Sequence, residues 1–169
     1  MKFDGLIRLM SESDLSLVLK WRNHPSIRRF MYTQHNISLQ EHRKWFEAAN
    51  DQKNKYLLIY EIKGNPLGFI SIERENNTKV ADWGFYASPD APKGTGTDMG
   101  NAALEYAFIQ LALHKICGHA LAYNHRSVKF HEKLGFLKEG VLRDQHFDGE
   151  TYHDIICFGL LENEWYRTD

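Results

Sequence analysis

Lys79 to Leu111 reads KVADWGFYASPDAPKGTGTDMGNAALEYAFIQL, a strand, a proline-bounded turn, a glycine-rich loop and a helix in unbroken succession. Val80, Trp83, Phe85 and Tyr86 suit a pleated, largely buried strand over Lys79 to Ala87. Ser88-Pro89-Asp90-Ala91-Pro92 stops it, because proline cannot donate to a ladder. Lys93-Gly94-Thr95-Gly96-Thr97 follows, with Thr97 placed to cap a helix whose apolar positions Met99, Ala103, Tyr106, Ala107 and Leu111 recur at helical spacing. Unpaired amides at such a helix start, and glycines that let a ligand near the backbone, make an anion site suited to phosphate.

Gly94-x-Gly96 alone is a weak signal. It lacks the third glycine and following acidic residue of a dinucleotide fingerprint, and the Gly-Lys-Ser/Thr ending of a P-loop. A second stretch adds to it: Asn124-His125-Arg126-Ser127-Val128-Lys129-Phe130-His131-Glu132-Lys133-Leu134-Gly135-Phe136. With Pro89 and the glycine loop upstream, the two resemble the paired acetyl-CoA motifs of the GNAT N-acetyltransferase superfamily. The Asn-x-x-Ser…Glu-Lys-x-Gly-Phe form, with Glu139-Gly140-Val141-Leu142-Arg143 and Asp148-Gly149-Glu150…Asp154 after it, is similar to the RimL-like branch. The resemblance runs from Ile7-Arg8-Leu9 to Leu161.

Composition agrees with such an enzyme. The 169 residues fit one domain, 1–169, with 43% hydrophobic and 25% charged residues. A net charge of −1 argues against a nucleic-acid binder, whose footprint would be basic. Cys117 and Cys157 lie in apolar runs and read as reduced, buried thiols of a cytoplasmic protein. No apolar run reaches the ~18 residues needed to span a bilayer, so no membrane partner is expected.

In chain order, Gly5 to Met10 reads as a strand and Ser13 to Asn23 as a helix with Leu15, Val18, Leu19 and Arg22 on one stripe. Arg22 is either a snorkelling helix-end cation or a guanidinium aimed into a cleft. Ser26 to Thr33 is a basic-aromatic segment, suited to a pocket for an anionic, ring-bearing ligand or to a solvated turn. Ser38-Leu39-Gln40-Glu41 is a capping box opening a helix to Asn50, whose apolar stripe His42 interrupts. Lys55 to Ile62 and Pro66 to Glu75 read as a hairpin, then come the organising strand and helix, a strand at Lys115 to Leu121 and a short helix at Asn124 to Leu134. Phe136 to Phe147 and Glu150 to Leu161 form a final hairpin about Asp148-Gly149. The class is α+β, a GNAT fold with a mostly antiparallel mixed sheet of about seven strands and helices on both faces.

The resemblance implies roles. The backbone of Phe85, Tyr86 and Ala87 would meet the pantetheine arm of acetyl-CoA, Lys93, Gly94, Thr95, Gly96 and Thr97 the pyrophosphate, and Asn124 and Ser127 the pantetheine amides. Ala91 stands where the family carries Gln or Arg, leaving Lys93 to supply the charge. His131 stands where many members carry a Tyr near the sulfur, and is expected either to protonate the leaving thiolate or to be a surface histidine. Asp82 occupies the strand position of a water-mediated base, with Glu73 and Ser71 as rivals. No metal is expected.

The acceptor is less constrained. Trp21-Arg22-Asn23, Arg29-Phe30-Met31-Tyr32 and Glu41-His42-…-Trp45-Phe46 resemble the acetyltransferases of pseudaminic-acid biosynthesis, which act on the 4-amino group of a UDP-linked 4-amino-4,6-dideoxy-N-acetyl-altrosamine. Arg22, Arg29 and His42 then suit a diphosphate, and Met31, Tyr32 and Trp83 a uracil and a deoxy-sugar methyl. A homodimer is compatible with this reading. The rivals are a RimL-like protein N-terminal acetyltransferase and a non-enzymatic acyl-CoA-binding module.

Overall fold

The chain runs β1 (Leu6–Leu9), α1 (Leu15–Asn23), α2 (Pro25–Arg28), α3 (Leu39–Asn50), β2 (Lys55–Ile62), β3 (Asn65–Arg74), β4 (Val80–Ala87) and α4 (Thr95–Glu105). It ends in β5 (Lys115–Leu121), α5 (His125–Lys133), β6 (Leu137–Phe147), β7 (Tyr152–Leu161) and the short α6 (Glu162–Trp165). This is a computed structural model that describes residues 5–165; the ends of the expected 1–169 unit, 1–4 and 166–169, lie outside the described residues. The strands form one sheet in the order β1-β2-β3-β4-β5-β7-β6, antiparallel throughout except for the parallel β4–β5 pair. This is the GNAT architecture expected.

Helices cover both faces, so the central strands carry apolar side chains on both. Leu58, Tyr60, Ile70, Ile72, Ala81 and Trp83 pack towards α4 and α5, joining Met99, Ala103, Leu104 and Leu134. Leu57, Ile59 and Phe69, of opposite parity, join Leu15, Val18, Trp21, Phe46 and Ala49 from α1 and α3. Arg8 clamps the approach to α1, donating to both Asp14 carboxylate oxygens at 2.8 Å and to Glu61 at 2.7 Å. The capping box of α3 forms as read: Glu41 N–H donates to Ser38 Oγ at 3.1 Å and Ser38 N–H to Glu41 Oε2 at 2.8 Å. The basic-aromatic segment begins in a helical turn, which Pro25 opens and which runs through Arg28.

The feature that positions the site is the end of the parallel ladder. Among the described residues β4 and β5 pair at Val80↔Lys115, Ala81↔Ile116 and Asp82↔Cys117, and no further. Beyond that point β4 stays paired to β3 as far as Ala87↔Gly68, and β5 to β7 as far as Leu121↔Ile155. The backbone edge of β4 from Gly84 to Ala87 is therefore left unladdered towards β5. Cys117 and Cys157 are free thiols, half-buried rather than buried as expected, because they share the sheet face that α1 and α3 leave open beside His119.

Candidate functional site

On one side of the split lies the glycine loop. Gly94, at φ 99°, is the N-cap of α4 and no side chain caps the helix start. That corrects the expectation for Thr97: the left-handed glycine turns the chain three residues earlier, and Thr97 falls within the first helical turn. Thr95 is buried and Lys93 exposed beside it. Lys133, which sequence reasoning does not single out, reaches from α5 to donate to Thr97 Oγ1 at 3.2 Å. A cation at the positive end of a helix gains nothing from the helix itself. It suits an anion held between the two. The Glu132-Lys133-Leu134-Gly135-Phe136 motif contains that signal. Asn124 caps α5, its Oδ1 accepting from Ser127 N–H at 3.2 Å, which leaves the Asn124 amide donors for a ligand.

His131 is overturned as a thiolate acid and as a surface residue alike. Its side chain is 1% exposed, stacked on Phe158 at 4.8 Å and ringed by Phe85, Phe130 and Phe136. Trp83 Nε1–H donates to His131 Nε2 at 3.1 Å. An indole N–H can only donate, so the ring proton sits on Nδ1, 2.8 Å from the Ser127 carbonyl oxygen. Both nitrogens are spent, and burial pushes the imidazole down to about 4 against a weaker opposing pull from the Ser127 carbonyl. A neutral ring with no free nitrogen protonates nothing. The room for it comes from Gly118, where any Cβ would collide with the imidazole and with Trp83 Nε1. Trp83 is corrected with it: it is buried on the α4–α5 side, away from Arg22 and His42, and cannot line an acceptor pocket there.

A pH dependence of stability follows. The folded ring binds its proton less readily than the ordinary imidazole value of 6.5, so the unfolded chain takes up the extra proton between about pH 6.5 and about 4. Stability from this group is whole above 6.5 and is lost on acidification, by about 3 kcal/mol at pH 4. In His131→Phe that slope should vanish, while the orphaned Trp83 N–H costs about 1–3 kcal/mol at neutral pH. Urea melts of both proteins should therefore converge as pH falls; parallel curves would refute the assignment.

On the opposite face Arg22, His42 and Tyr86 come together. Arg22 Nη2 donates to the Thr33 carbonyl oxygen at 2.6 Å, while Nη1 is buried without a partner. His42, 4% exposed, stacks on Trp45 at 5.1 Å, and its Nε2 is likewise buried and unpartnered. Burial lowers both bases; Arg22's charge lowers His42 further, and the Leu15 backbone works against that. Burial raises the Tyr86 phenol, which the Arg22 charge partly offsets. Leaving such polar atoms unsatisfied costs about 1–3 kcal/mol each, and a ligand that pairs them recovers it. Arg29 lies outside this trio, its guanidinium 4.7 Å over the Phe30 ring, in a cavity of about 540 Å³ lined also by His24, Arg28 and Gln34. Arg28 stands close enough to depress Arg22. Tyr32 packs against His146 with the rings tilted by 49° and their centroids 5.3 Å apart, and the half-buried Met31 is next to it in the chain. Asp82, 67% exposed, faces Glu73 across the β3–β4 pair, and Ser71 lies two residues along β3 opposite Gly84.

Among the described residues no helix is long and apolar enough to cross a membrane. The model of the acetyltransferase (GNAT) domain family matches residues 6–137. The chain is 31% identical over 130 residues to the acetyltransferase PseH of Campylobacter jejuni, covering 75% of this chain and 79% of that one. It is 33% identical over 129 residues to the SPbeta prophage-derived uncharacterized N-acetyltransferase YokL of Bacillus subtilis, covering 73% and 71%. In fold it is similar to the crystal structure of spermidine N-acetyltransferase from Vibrio cholerae in complex with CoA and spermine. There the TM-score is 0.89 at 23% identity, over 96% of this chain and 98% of that one.

Proposed function

Given that the chain belongs to the acetyltransferase (GNAT) domain family and is an acetyl-CoA-dependent N-acetyltransferase, we propose that its acceptor is the 4-amino group of a UDP-linked amino-dideoxy sugar. The observation that carries this reading is the buried, unpartnered donor Arg22 Nη1 beside the buried, unpartnered ring nitrogen His42 Nε2, with Arg28 and Arg29 at a neighbouring cavity. A guanidinium fork matches phosphate oxygens in geometry as well as charge. Met31 and Tyr32 offer apolar area to a ring or a deoxy-sugar methyl. Similarity to PseH points the same way.

Acetyl-CoA supplies the activated acetyl group. The residues that would hold it are the α4 amides, Lys93 and Lys133 at the pyrophosphate, the free β4 edge from Phe85 to Ala87 along the pantetheine arm, and Asn124 and Ser127 beside it. The fit is physical: an uncapped helix start facing a lysine, and a strand edge without a ladder partner, both lack what that molecule provides.

A polyamine is the second reading, supported by the similarity in fold to spermidine N-acetyltransferase. Its cationic arms would meet Arg22, Arg28 and Arg29 at a Coulombic cost, which is why the nucleotide sugar is preferred. Mass spectrometry of products formed from acetyl-CoA and a panel of the UDP-amino-sugar, spermidine and α-amino peptides decides between them. Selective acetylation of the UDP-sugar is expected. Faster turnover of spermidine or a peptide would overturn the proposal.

A further inference from the structure

With His131 sealed in the core, the leaving sulfur loses its expected proton donor, and the proton of the attacking amine still has to be carried to it. We propose that His119 is that catalytic residue and that Asp82 positions its ring. The inference rests on acetyl transfer itself and not on which amine is the acceptor.

The geometry comes from the strand split. Asp82↔Cys117 is the last β4–β5 pair, and His119 is two residues beyond it on β5. Gly118, between them, faces the α5 side against His131 and Trp83, so His119 faces the other way, towards the open acceptor face. Its Nδ1 stands 3.7 Å from Asp82 Oδ1, with the two side chains 40% and 67% exposed. No described residue donates to or accepts from its Nε2. The pair therefore sits at the mouth of the gap that the pantetheine arm is proposed to enter, reachable by the acceptor amine and by solvent.

The groups around the ring allow the role. Asp82 approaches from β4 with Glu73 next to it on β3, Cys157 lies opposite on β7, Cys117 is two residues back on the same strand, and His131 lies behind from α5. Two carboxylates thus stand on the open side of the ring, and His131, held neutral by burial, places no charge behind it. A lone carboxylate accepts a proton from an amine poorly at neutral pH, whereas an imidazole is matched to that pH, which ranks His119 above Asp82 as the base.

The proton inventory closes. As the neutral amine nitrogen bonds to the acetyl carbonyl carbon and the carbon–sulfur bond breaks, the nitrogen loses one proton to His119 Nε2. The departing sulfur takes the electron pair of the broken bond and then that proton, so His119 ends neutral. Nothing is oxidised or reduced.

The test uses the intact protein and whichever panel amine turns over fastest, so a wrong acceptor assignment and a wrong base give different failures. His119→Gln should lower kcat/KM by ~10²–10⁴-fold with acetyl-CoA affinity unchanged, and should lose one acidic limb of its pH profile, the limb of the amine remaining. In the wild type, the pH midpoint of His119 followed by NMR in the absence of substrate should coincide with that limb. Asp82→Asn should move both midpoints together. Activity of His119→Gln within about threefold of wild type, persistence of both limbs, or an NMR midpoint unrelated to the kinetic one would each overturn the proposal. If the Gln variant does not fold, the wild-type comparison of the two midpoints decides.

Discussion

Gly96→Glu should abolish acetyl-CoA binding while leaving the fold intact. A Cβ at Gly96 meets no heavy atom within 4 Å, so the free protein has room for a side chain there. Gly94 offers no such clean test, because its φ of 99° strains any other residue. At Gly96 a carboxylate in the first turn is favoured by the helix dipole, so the melting temperature should hold or rise slightly. The same carboxylate would stand where the pyrophosphate is proposed to approach the α4 amides. Two unit charges about 4 Å apart near a surface repel by about 4 kcal/mol, close to a 10³-fold loss in affinity before any blocked contact is counted. Gly96→Ala separates bulk from charge and should cost far less. Calorimetry showing wild-type affinity in a folded Gly96→Glu protein would place the pyrophosphate elsewhere.

The fold is legible in the sequence because its decisive stretch combines signals that agree: a strand, prolines, glycines and a helix in one run, and a second motif downstream. The parity of β4 is not. Where helices cover both faces, neighbouring positions such as Trp83, Phe85 and Tyr86 are all apolar, and alternation does not say which core each joins. That is why Trp83 reads from sequence as an acceptor residue. The burial of His131 is hidden because it depends on Gly118, a strand residue whose missing side chain makes the cavity for the ring. His119 draws no notice because its partner Asp82 is brought to it only by the β4–β5 register, which no local pattern encodes. Arg22 and His42 are legible from one rule: a polar residue breaking an apolar helix stripe has a reason to be there.

Arg22→Ala should raise the KM for the UDP-amino-sugar by ~10–150-fold, the worth of one charge-assisted hydrogen bond at ~1.5–3 kcal/mol. The KM for acetyl-CoA should stay put, since Arg22 lies on the α1–α3 side of the sheet and the glycine loop opens α4 on the other. Arg22→Lys should not restore the wild type. A compact ammonium donates from a single nitrogen and does not reproduce the planar fork that sets Nη2 on the Thr33 carbonyl and leaves Nη1 for a phosphate oxygen. Removing Arg29 should cost less, because its exposed guanidinium is screened by solvent. The polyamine reading predicts the opposite sign: deleting a cation from a site that takes spermidine relieves repulsion and lowers its KM. UDP alone gives the quickest test, since a site built for the diphosphate is occupied by it and acetyl transfer is then inhibited competitively against the acceptor. Absence of that inhibition in the wild type, or a lower spermidine KM in Arg22→Ala, would remove the nucleotide sugar and leave an N-acetyltransferase with a different amine.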